Sequence, residues 1–191
     1  MMSRLERGLI HVYTGDGKGK TTAALGLALR AAGCGLHTYV CQFLKGQEYG
    51  ELEAVHWLVA GAPDGDARPP ITIERFGRPT FVHVSADGTS SATEEDVRLA
   101  RAGLDAVRRA MSGGRYEIVV LDEINVALYF RLLTVREVLE VIDNKPDGVE
   151  LVLTGRRVPD DILARADYVT EMREVRHPYQ KGVSARKGIE F

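Results

Sequence analysis

A glycine-rich stretch near the N-terminus has the composition of a phosphate-binding loop. It reads TGDGKGKTT and covers residues 14–22. In the usual loop, G-x-x-x-x-G-K-[ST], backbone N–H groups and the lysine bind phosphate oxygens, and the hydroxyl binds Mg²⁺. Gly19, Lys20 and Thr21 fit the second half of this pattern, but the first glycine comes one residue late, at Gly15. We therefore predict a phosphate-binding loop of altered form.

This loop is expected to bind the phosphates of a nucleotide such as ATP. Lys20 would neutralise phosphate oxygens, and Thr21 would offer its hydroxyl to Mg²⁺ or Mn²⁺. The glycines permit positive φ angles and a close approach of the backbone to a ligand. The predicted nucleotide-binding residues are Gly15, Asp16, Gly17, Lys18, Gly19, Lys20, Thr21 and Thr22. The alternative is a glycine-rich turn whose lysines are only solvated.

Two carboxylates end an apolar run in the middle of the chain. The stretch is IVVLDEIN, residues 118–125, in which Asp122 and Glu123 follow four apolar residues. At the C-terminal end of a strand, these side chains would project into the crevice where doubly wound sheets bind ligands. Either carboxylate could then hold Mg²⁺ directly or through water. The alternative is a pair of acids on the surface.

An arginine follows a second apolar run. The stretch TGRR, residues 154–157, puts Arg156 just past this run. A guanidinium there could reach the same crevice and bind phosphate oxygens or a carboxylate through parallel hydrogen bonds. The alternative is a surface arginine in a β-to-α turn. We favour a functional role because three strand ends would converge at this point.

The elements that must position these residues are predicted from the hydrophobic pattern. Short apolar runs bounded by turn residues alternate with amphipathic stretches, which is typical of a parallel sheet covered by helices. Strands are predicted at residues 9–14, 37–43, 71–76, 117–122, 149–154 and 168–172. We expect an α/β fold of the P-loop NTPase (RecA-like) type, with a mostly parallel sheet of five or six strands and helices on both faces. One domain is expected to cover residues 1–191.

Helices are predicted between the strands. Two stretches place apolar residues on one helical face at spacings of three and four. They are Ala24, Leu25, Ala28, Leu29 and Ala32, and then Val97, Ala100, Leu104, Val107 and Met111. Another helix is expected to begin after Thr134, because Thr134 and Glu137 form a capping box. Pro159 suits the first turn of a further helix.

Composition restricts the class of protein. The net charge is −2, with 27% charged residues of both signs, so a sequence-wide basic surface for nucleic acid is not expected. No apolar run approaches the length of about 20 residues that spans a bilayer, and we expect a soluble, cytoplasmic protein. Cys34 and Cys41 show no disulfide pattern or metal-ligand spacing, and both are expected to be buried small hydrophobes. The five histidines also lack metal-ligand spacing, so no zinc site is predicted.

Several stretches together resemble one enzyme family. They are GLIHVYTGDGKGKTTAALGLALRAAG, VCQFLKG, VVLDEIN, LVLTGR and the ending VRHPYQKGVSARKGIEF, and they follow in order from about Leu9 to Phe191. With them the chain resembles the ATP:corrinoid adenosyltransferases of cobalamin biosynthesis and salvage, of the P-loop type. The resemblance includes the glycine-shifted loop. In that family the loop grips the outer phosphates of an ATP that lies in the reverse sense to ATP in ordinary P-loop enzymes.

The resemblance implies a reaction and a set of residues. Co(I) of a reduced corrinoid would attack C5′ of ATP, form the adenosyl–cobalt bond and release inorganic triphosphate. The expected catalytic residues are Lys20, Glu123 and Arg156. Thr21 and Glu123 are the expected ligands of Mg²⁺ or Mn²⁺, and Lys18 would add a further cation. Because Co(I) is already a potent nucleophile, the enzyme needs alignment and stabilisation of the leaving polyanion rather than a general base.

The resemblance also implies a corrinoid site. In the family, apolar side chains remove the lower axial ligand of cobalt, which makes Co(II) easier to reduce. The corresponding segment here is RFGRPTFVHV, residues 75–84, with Phe81 as the expected wedge. Better-known members carry a Phe and a Trp two residues apart in this region. This chain departs from that pattern, because Val82 follows Phe81 and its one tryptophan is Trp57.

The expected partners also come from the resemblance. They are a corrinoid substrate, an electron donor such as a flavoprotein reductant, and a second copy of the chain in a homodimer. The composition, in contrast, is the reason why we expect no nucleic acid and no membrane as partners. Some members cover the corrinoid with a longer N-terminal leader. Only eight residues precede Leu9 here, so we expect this lid to be absent or supplied otherwise.

Two other functions remain open on the sequence alone. An apolar run that ends in Asp-Glu also describes motor ATPases, in which the glutamate polarises water and the product is ADP. A regulatory module, in contrast, would bind ATP without turning it over. The loop and the acidic strand end by themselves support only the binding of a Mg-nucleotide.

Overall fold

Six parallel strands form one continuous sheet. The computed structural model describes residues 5–46, 50–60, 69–80, 82 and 90–189, and of residues 56–60 it describes the backbone alone. The strands are β1 (Ile10–Thr14), β2 (Thr38–Phe43), β3 (Ile71–Phe76), β4 (Ile118–Asp122), β5 (Glu150–Thr154) and β6 (Tyr168–Glu171). Their order across the sheet is β3-β2-β4-β5-β1-β6, and every neighbouring pair is parallel. The predicted α/β fold with a parallel sheet is therefore confirmed.

Helices follow most of the strands. They are α1 (Lys20–Ala32), α2 (Gly50–Ala60), α3 (Glu94–Ser112), α4 (Ile124–Tyr129), α5 (Val135–Asp143) and α6 (Asp160–Leu163), and a 3₁₀ helix (Pro178–Lys181) comes after β6. Pro159 directly precedes α6 as its N-cap residue, close to the predicted first-turn position. Among the described residues, no helix combines the length and the apolar character that crossing a membrane requires.

The two faces of the sheet pack against different helices. In β4, Val119 and Leu121 belong to a core cluster that includes residues of α3 and α5. Ile118 and Val120 belong to a second cluster, which includes the alanines of α1. All residues of β4 are buried, as expected for a parallel strand that is covered on both faces. The predicted helices on both faces are therefore confirmed.

The structure corrects two predictions near α1. The buried alanines of this helix are Ala24, Ala28 and Ala31. Leu29 was placed on the same face by the prediction, but it is 57% exposed. The buried positions follow the spacing i, i+4, i+7, and this stripe leaves Leu29 on the outer side of the helix. Cys34 is also exposed, because it lies in the turn after α1, whereas Cys41 in β2 is buried as predicted.

Two helices begin with capping boxes. At α5, the Thr134 hydroxyl accepts a hydrogen bond from the Glu137 N–H at 3.2 Å, and Glu137 Oε2 accepts one from the Thr134 N–H at 2.7 Å. This confirms the predicted helix start. At α3, Thr93 and Asp96 form a second capping box. The buried Asp96 carboxylate also accepts two hydrogen bonds from Arg78, each 2.7 Å long, so it fixes the segment after β3 to α3.

We expect Asp96→Asn to lower the free energy of unfolding by about 1–3 kcal/mol at neutral pH, because a charged acceptor of several hydrogen bonds is lost. Burial alone would raise the pKa of Asp96, but hydrogen bonds from Arg78 and Thr93 outweigh burial and lower this pKa. A carboxylate with a lowered pKa in the folded state stabilises the fold fully above its ordinary pKa, and this stabilisation is lost as the pH falls through the lowered pKa.

The difference in stability between the wild-type protein and Asp96→Asn should therefore shrink in acid. Urea unfolding at pH 7 and in steps below about pH 4 would measure it. A difference that stayed constant over this range would contradict the role given to the charge of Asp96.

Candidate functional site

The candidate site is a cleft at the C-terminal ends of the strands, with a volume of about 620 Å³. Residues 17–22, from the loop after β1 and the first turn of α1, form one part of its wall. The charged and histidine side chains that line the rest are Lys45, Glu51, Glu123, Arg156 and His177. Because β4, β5 and β1 are neighbours in the sheet, the segments that follow them meet at this edge.

The late position of the first glycine in the loop has a structural reason. Gly15 and Gly17 lie against the backbone that follows β6, and the Gly17 N–H donates to the Met172 carbonyl at 2.6 Å. A Cβ atom would lie 2.5 Å from the Met172 oxygen if added at Gly15, and 2.7 Å from it if added at Gly17. Gly15 also has a φ angle of 90°, which glycine adopts without steric cost. The glycine spacing therefore allows the loop to pack against the chain after β6.

Lys20 is the first residue of α1 and is buried beneath the loop. Its ammonium group donates hydrogen bonds to the carbonyls of Gly15 at 2.6 Å and Gly17 at 2.7 Å. Burial lowers the pKa of Lys20, and the negative charge of Glu123 acts in the opposite direction. An ammonium group has three N–H donors, so a third donor is left for a ligand in the cleft. The loop thus holds Lys20 in position.

Asp122 is fully buried at the end of β4 and is surrounded by donors. Its Oδ1 accepts hydrogen bonds from the hydroxyls of Thr21 at 2.8 Å and Thr154 at 2.7 Å. Its Oδ2 accepts from the ammonium group of Lys45 at 2.8 Å and from the amide of Gln42 at 3.3 Å. With two donors on each oxygen, Asp122 is well suited to orient Thr21.

Glu123 follows Asp122 and lines the cleft. Its backbone lies in the left-handed region, with φ = 63°, and its N–H donates to the Thr154 hydroxyl at 2.9 Å. Burial raises the pKa of Glu123, the charge of Asp122 raises it further, and Lys45 and Lys20 act in the opposite direction. Within the described part of the chain, the Glu123 carboxylate has no hydrogen-bond partner, so it is available to a ligand.

Thr21 and Glu123 together suit a divalent cation. Both supply hard oxygen ligands, and Mg²⁺ in nucleotide sites is usually held by one or two carboxylates together with phosphate oxygens and water. Among the described residues, no group of three or more His, Cys, Asp or Glu side chains could hold a metal ion. A cation at Thr21 and Glu123 would therefore need phosphate oxygens of the nucleotide and water to complete its coordination.

Arg156 comes directly after Gly155, whose φ of 128° turns the chain at the end of β5. The guanidinium group lines the cleft and donates to the backbone carbonyl of Asp16 at 2.9 Å. Its side chain is 54% exposed, so further donors remain accessible to a ligand. The structure thus brings Lys20, Glu123 and Arg156 into the same cleft.

Some predicted site residues lie elsewhere. In the loop, Gly15 and Asp16 do not line the cleft, and the Asp16 side chain is 78% exposed. Gly15 instead supports the loop through its packing against Met172. Phe81, the expected corrinoid wedge, lies outside the described residues.

The sequence-based prediction misses Lys45, Glu51 and His177. Lys45 comes two residues after β2, and the reasoning that identified Arg156 from the end of a buried strand could have identified Lys45 as well. Burial alone would lower the pKa of Lys45, but the charge and hydrogen bond of Asp122 outweigh burial and raise it. His177 belongs to the segment after β6, whose sequence contributes to the family resemblance, but no spacing or local pattern assigns His177 to the cleft.

Comparison with known proteins gives the family of this chain. Residues 6–191 match the model of the family described as ATP:corrinoid adenosyltransferase BtuR/CobO/CobP. The chain is 34% identical to a corrinoid adenosyltransferase of Sinorhizobium sp., and the match covers 97% of this chain and 81% of that protein. It is 33% identical to the corrinoid adenosyltransferase of Pseudomonas aeruginosa, with 99% and 86% covered, and 34% identical to that of Escherichia coli K12, with 97% and 87% covered. The protein therefore belongs to the ATP:corrinoid adenosyltransferase family.

Proposed function

We propose that the protein transfers the 5′-deoxyadenosyl group of ATP to Co(I) of a reduced corrinoid and releases inorganic triphosphate, in adenosylcobalamin biosynthesis or salvage. Membership of the family supports the reaction. The structural observation that carries the proposal is the cleft. It is lined by the glycine-rich loop at the start of α1, and the cationic side chains Lys18, Lys20 and Arg156 face it. Backbone N–H groups and several cations around one cavity suit a polyphosphate that must bind and then depart.

In the proposed reaction, the Co–C5′ bond forms while the bond between C5′ and the triphosphate oxygen breaks. The electron pair of Co(I) makes the new bond, and the pair of the broken bond leaves with the triphosphate. The nucleophile carries no proton that has to be removed, so no general base is required. The protein has to align C5′ and stabilise the negative charge that grows on the leaving oxygen.

The residues of the cleft have separate roles in this proposal. Lys20 would direct its remaining N–H at a phosphate oxygen while its other two stay on the loop. Arg156 would add a second cation from the end of β5. Thr21 and Glu123 would hold Mg²⁺ or Mn²⁺, which neutralises phosphate charge when bound.

The corrinoid side and the partners are inferred from the family. We propose Phe81 as the side chain that displaces the lower axial ligand, a flavoprotein-type reductant as the electron donor, and a homodimer. At the outer strand β6, Tyr168 and Val169 are each 52% exposed, and exposed apolar side chains at an open sheet edge support contact with a second subunit there. A single domain over residues 1–191 and a cytoplasmic location stay predictions.

The test is to incubate the purified protein with Mg-ATP and chemically reduced cobalamin or cobinamide. The corrinoid absorption spectrum and the phosphate products should be followed together. We expect the adenosylcorrinoid and inorganic triphosphate to form in equal amounts, and only when the reductant is present.

The same assay separates the alternatives. Release of ADP with an unchanged corrinoid spectrum would overturn the proposal in favour of a P-loop ATPase. Binding of ATP without any product would indicate a regulatory module.

A further inference from the structure

The segment that follows β6 returns to the cleft and forms part of its wall. His177, Gly188 and Ile189 of this segment line the cavity. Hydrogen bonds among the described residues attach the segment to the phosphate-binding loop. The Gly17 N–H donates to Met172 O at 2.6 Å, and the Lys18 ammonium donates to Ile189 O at 3.0 Å. This part of the cleft wall therefore lies beside the loop that is expected to bind phosphates.

His177 is held in one orientation and in one tautomer by a hydrogen bond. Its Nδ1 accepts from the Tyr179 N–H at 3.2 Å, which makes His177 the side-chain cap of the 3₁₀ helix Pro178–Lys181. A neutral imidazole has one N–H, and an Nδ1 that accepts a hydrogen bond cannot carry it. The hydrogen of the neutral ring is therefore on Nε2. His177 thus brings one N–H donor to the cleft.

We propose that His177 donates this Nε2–H to an oxygen of the triphosphate of bound ATP. The inference rests on the proposed function, because it concerns the same cleft. We assign the contact to the triphosphate rather than to the nucleoside, because the wall that carries His177 is hydrogen-bonded to the loop through Gly17 and Lys18. A neutral donor fits this position well, since Lys18, Lys20 and Arg156 already supply positive charge to the cleft.

The contact gives the C-terminal segment a role in substrate binding. The charge of the triphosphate increases as its bond to C5′ breaks, and a fixed N–H donor then binds it more strongly than in the ground state. His177 would therefore act together with the loop N–H groups, although it lies more than 150 residues away along the chain. The two functions of the ring are separable, because Nδ1 caps the helix and Nε2 is the nitrogen that is left for a ligand.

The test compares His177→Asn with His177→Ala. Asparagine is a preferred capping residue whose side-chain oxygen can accept the Tyr179 N–H, but its amide nitrogen then takes the place of the ring Cδ2 and ends short of the Nε2 position. Alanine removes both functions. Binding of inorganic triphosphate and of ATP, each with Mg²⁺, should be measured by titration calorimetry. We expect both variants to raise the Kd of both ligands about 5- to 10-fold, as for the loss of one hydrogen bond.

Two outcomes would overturn the inference. If His177→Asn bound triphosphate as tightly as the wild-type protein, His177 would serve only as a cap. If ATP binding weakened while triphosphate binding did not, the contact would be to the nucleoside. Tyr179→Ala is the matched control, since it changes a neighbouring side chain that is 76% exposed and keeps the capping N–H, and we expect unchanged binding.

Lys20→Ala, measured in parallel, distinguishes this inference from the proposed function. If Lys20→Ala weakens triphosphate binding and His177→Asn does not, only the role of His177 fails. If neither change weakens binding, the cleft itself is not the triphosphate site.

Discussion

We expect Lys20→Ala to lower kcat/KM for ATP at least about 100-fold, which is the usual cost of removing one group that stabilises charge developing in a transition state. The ammonium group is buried, is fixed by the carbonyls of Gly15 and Gly17, and has one donor left for the ligand. Steady-state rates of adenosylcorrinoid formation at varied ATP concentration would measure the loss, and calorimetry would show how much of it is ATP affinity.

The control for Lys20→Ala is Arg136→Ala. This change also removes one positive charge, but the Arg136 side chain is 89% exposed and pairs with Glu140 on α5. We expect it to leave the kinetics unchanged. Circular dichroism should show that Lys20→Ala keeps its secondary structure, because the lost hydrogen bonds belong to the loop rather than to the core. Kinetics like those of the wild-type protein would remove Lys20 from the site.

The strands, and the residues at their C-terminal ends that could bind a ligand, could be predicted because local sequence determines them. A parallel strand covered on both faces needs a continuous apolar run, and IVVL before Asp122 provides one. The residue that ends such a run must lie at the ligand-binding edge of the sheet. For this reason Lys20, Glu123 and Arg156 could be assigned to one cleft before their positions were known.

Features that depend on contacts between distant segments could not be predicted in this way. Hydrophobicity alone places Leu29 inside, yet the packing of small alanines against the sheet leaves it exposed. The entry of His177 into the cleft depends on contacts such as Lys18 with Ile189, which join opposite ends of the chain. Likewise, the glycine shift of the loop is explained by the carbonyl of Met172, which no local pattern reveals.

The adjacent carboxylates Asp122 and Glu123 show how the structure decides between two candidates that the sequence treats alike. Either could hold a metal ion by its position at the end of β4. Asp122 already accepts four hydrogen bonds, one of them from the ammonium group of Lys45. The left-handed backbone of Glu123 turns its carboxylate into the cleft wall instead. The geometry therefore favours Glu123 as the direct ligand and Asp122 as the residue that orients Thr21.

We accordingly expect Glu123→Gln to raise the Mg²⁺ concentration for half-maximal rate about 10-fold or more, because a carboxylate ligand is replaced by a neutral amide. Binding of Mn²⁺ in the presence of ATP, followed by electron paramagnetic resonance, gives a readout that does not depend on turnover. This Mn²⁺ binding should weaken to a similar extent. Glu123→Asp keeps the charge on a shorter side chain, so its Mg²⁺ requirement should lie between those of the wild-type protein and Glu123→Gln.

Asp122→Asn is the informative comparison for Glu123→Gln. It removes a buried carboxylate that pairs with Lys45 and accepts four hydrogen bonds, so we expect its main effect to be a loss of stability, of about 3–5 kcal/mol in urea unfolding. Glu123→Gln removes no hydrogen bond of its carboxylate within the described part of the chain, so its stability should change little. If the metal requirement shifted in Asp122→Asn and not in Glu123→Gln, the roles of the two carboxylates would have to be exchanged.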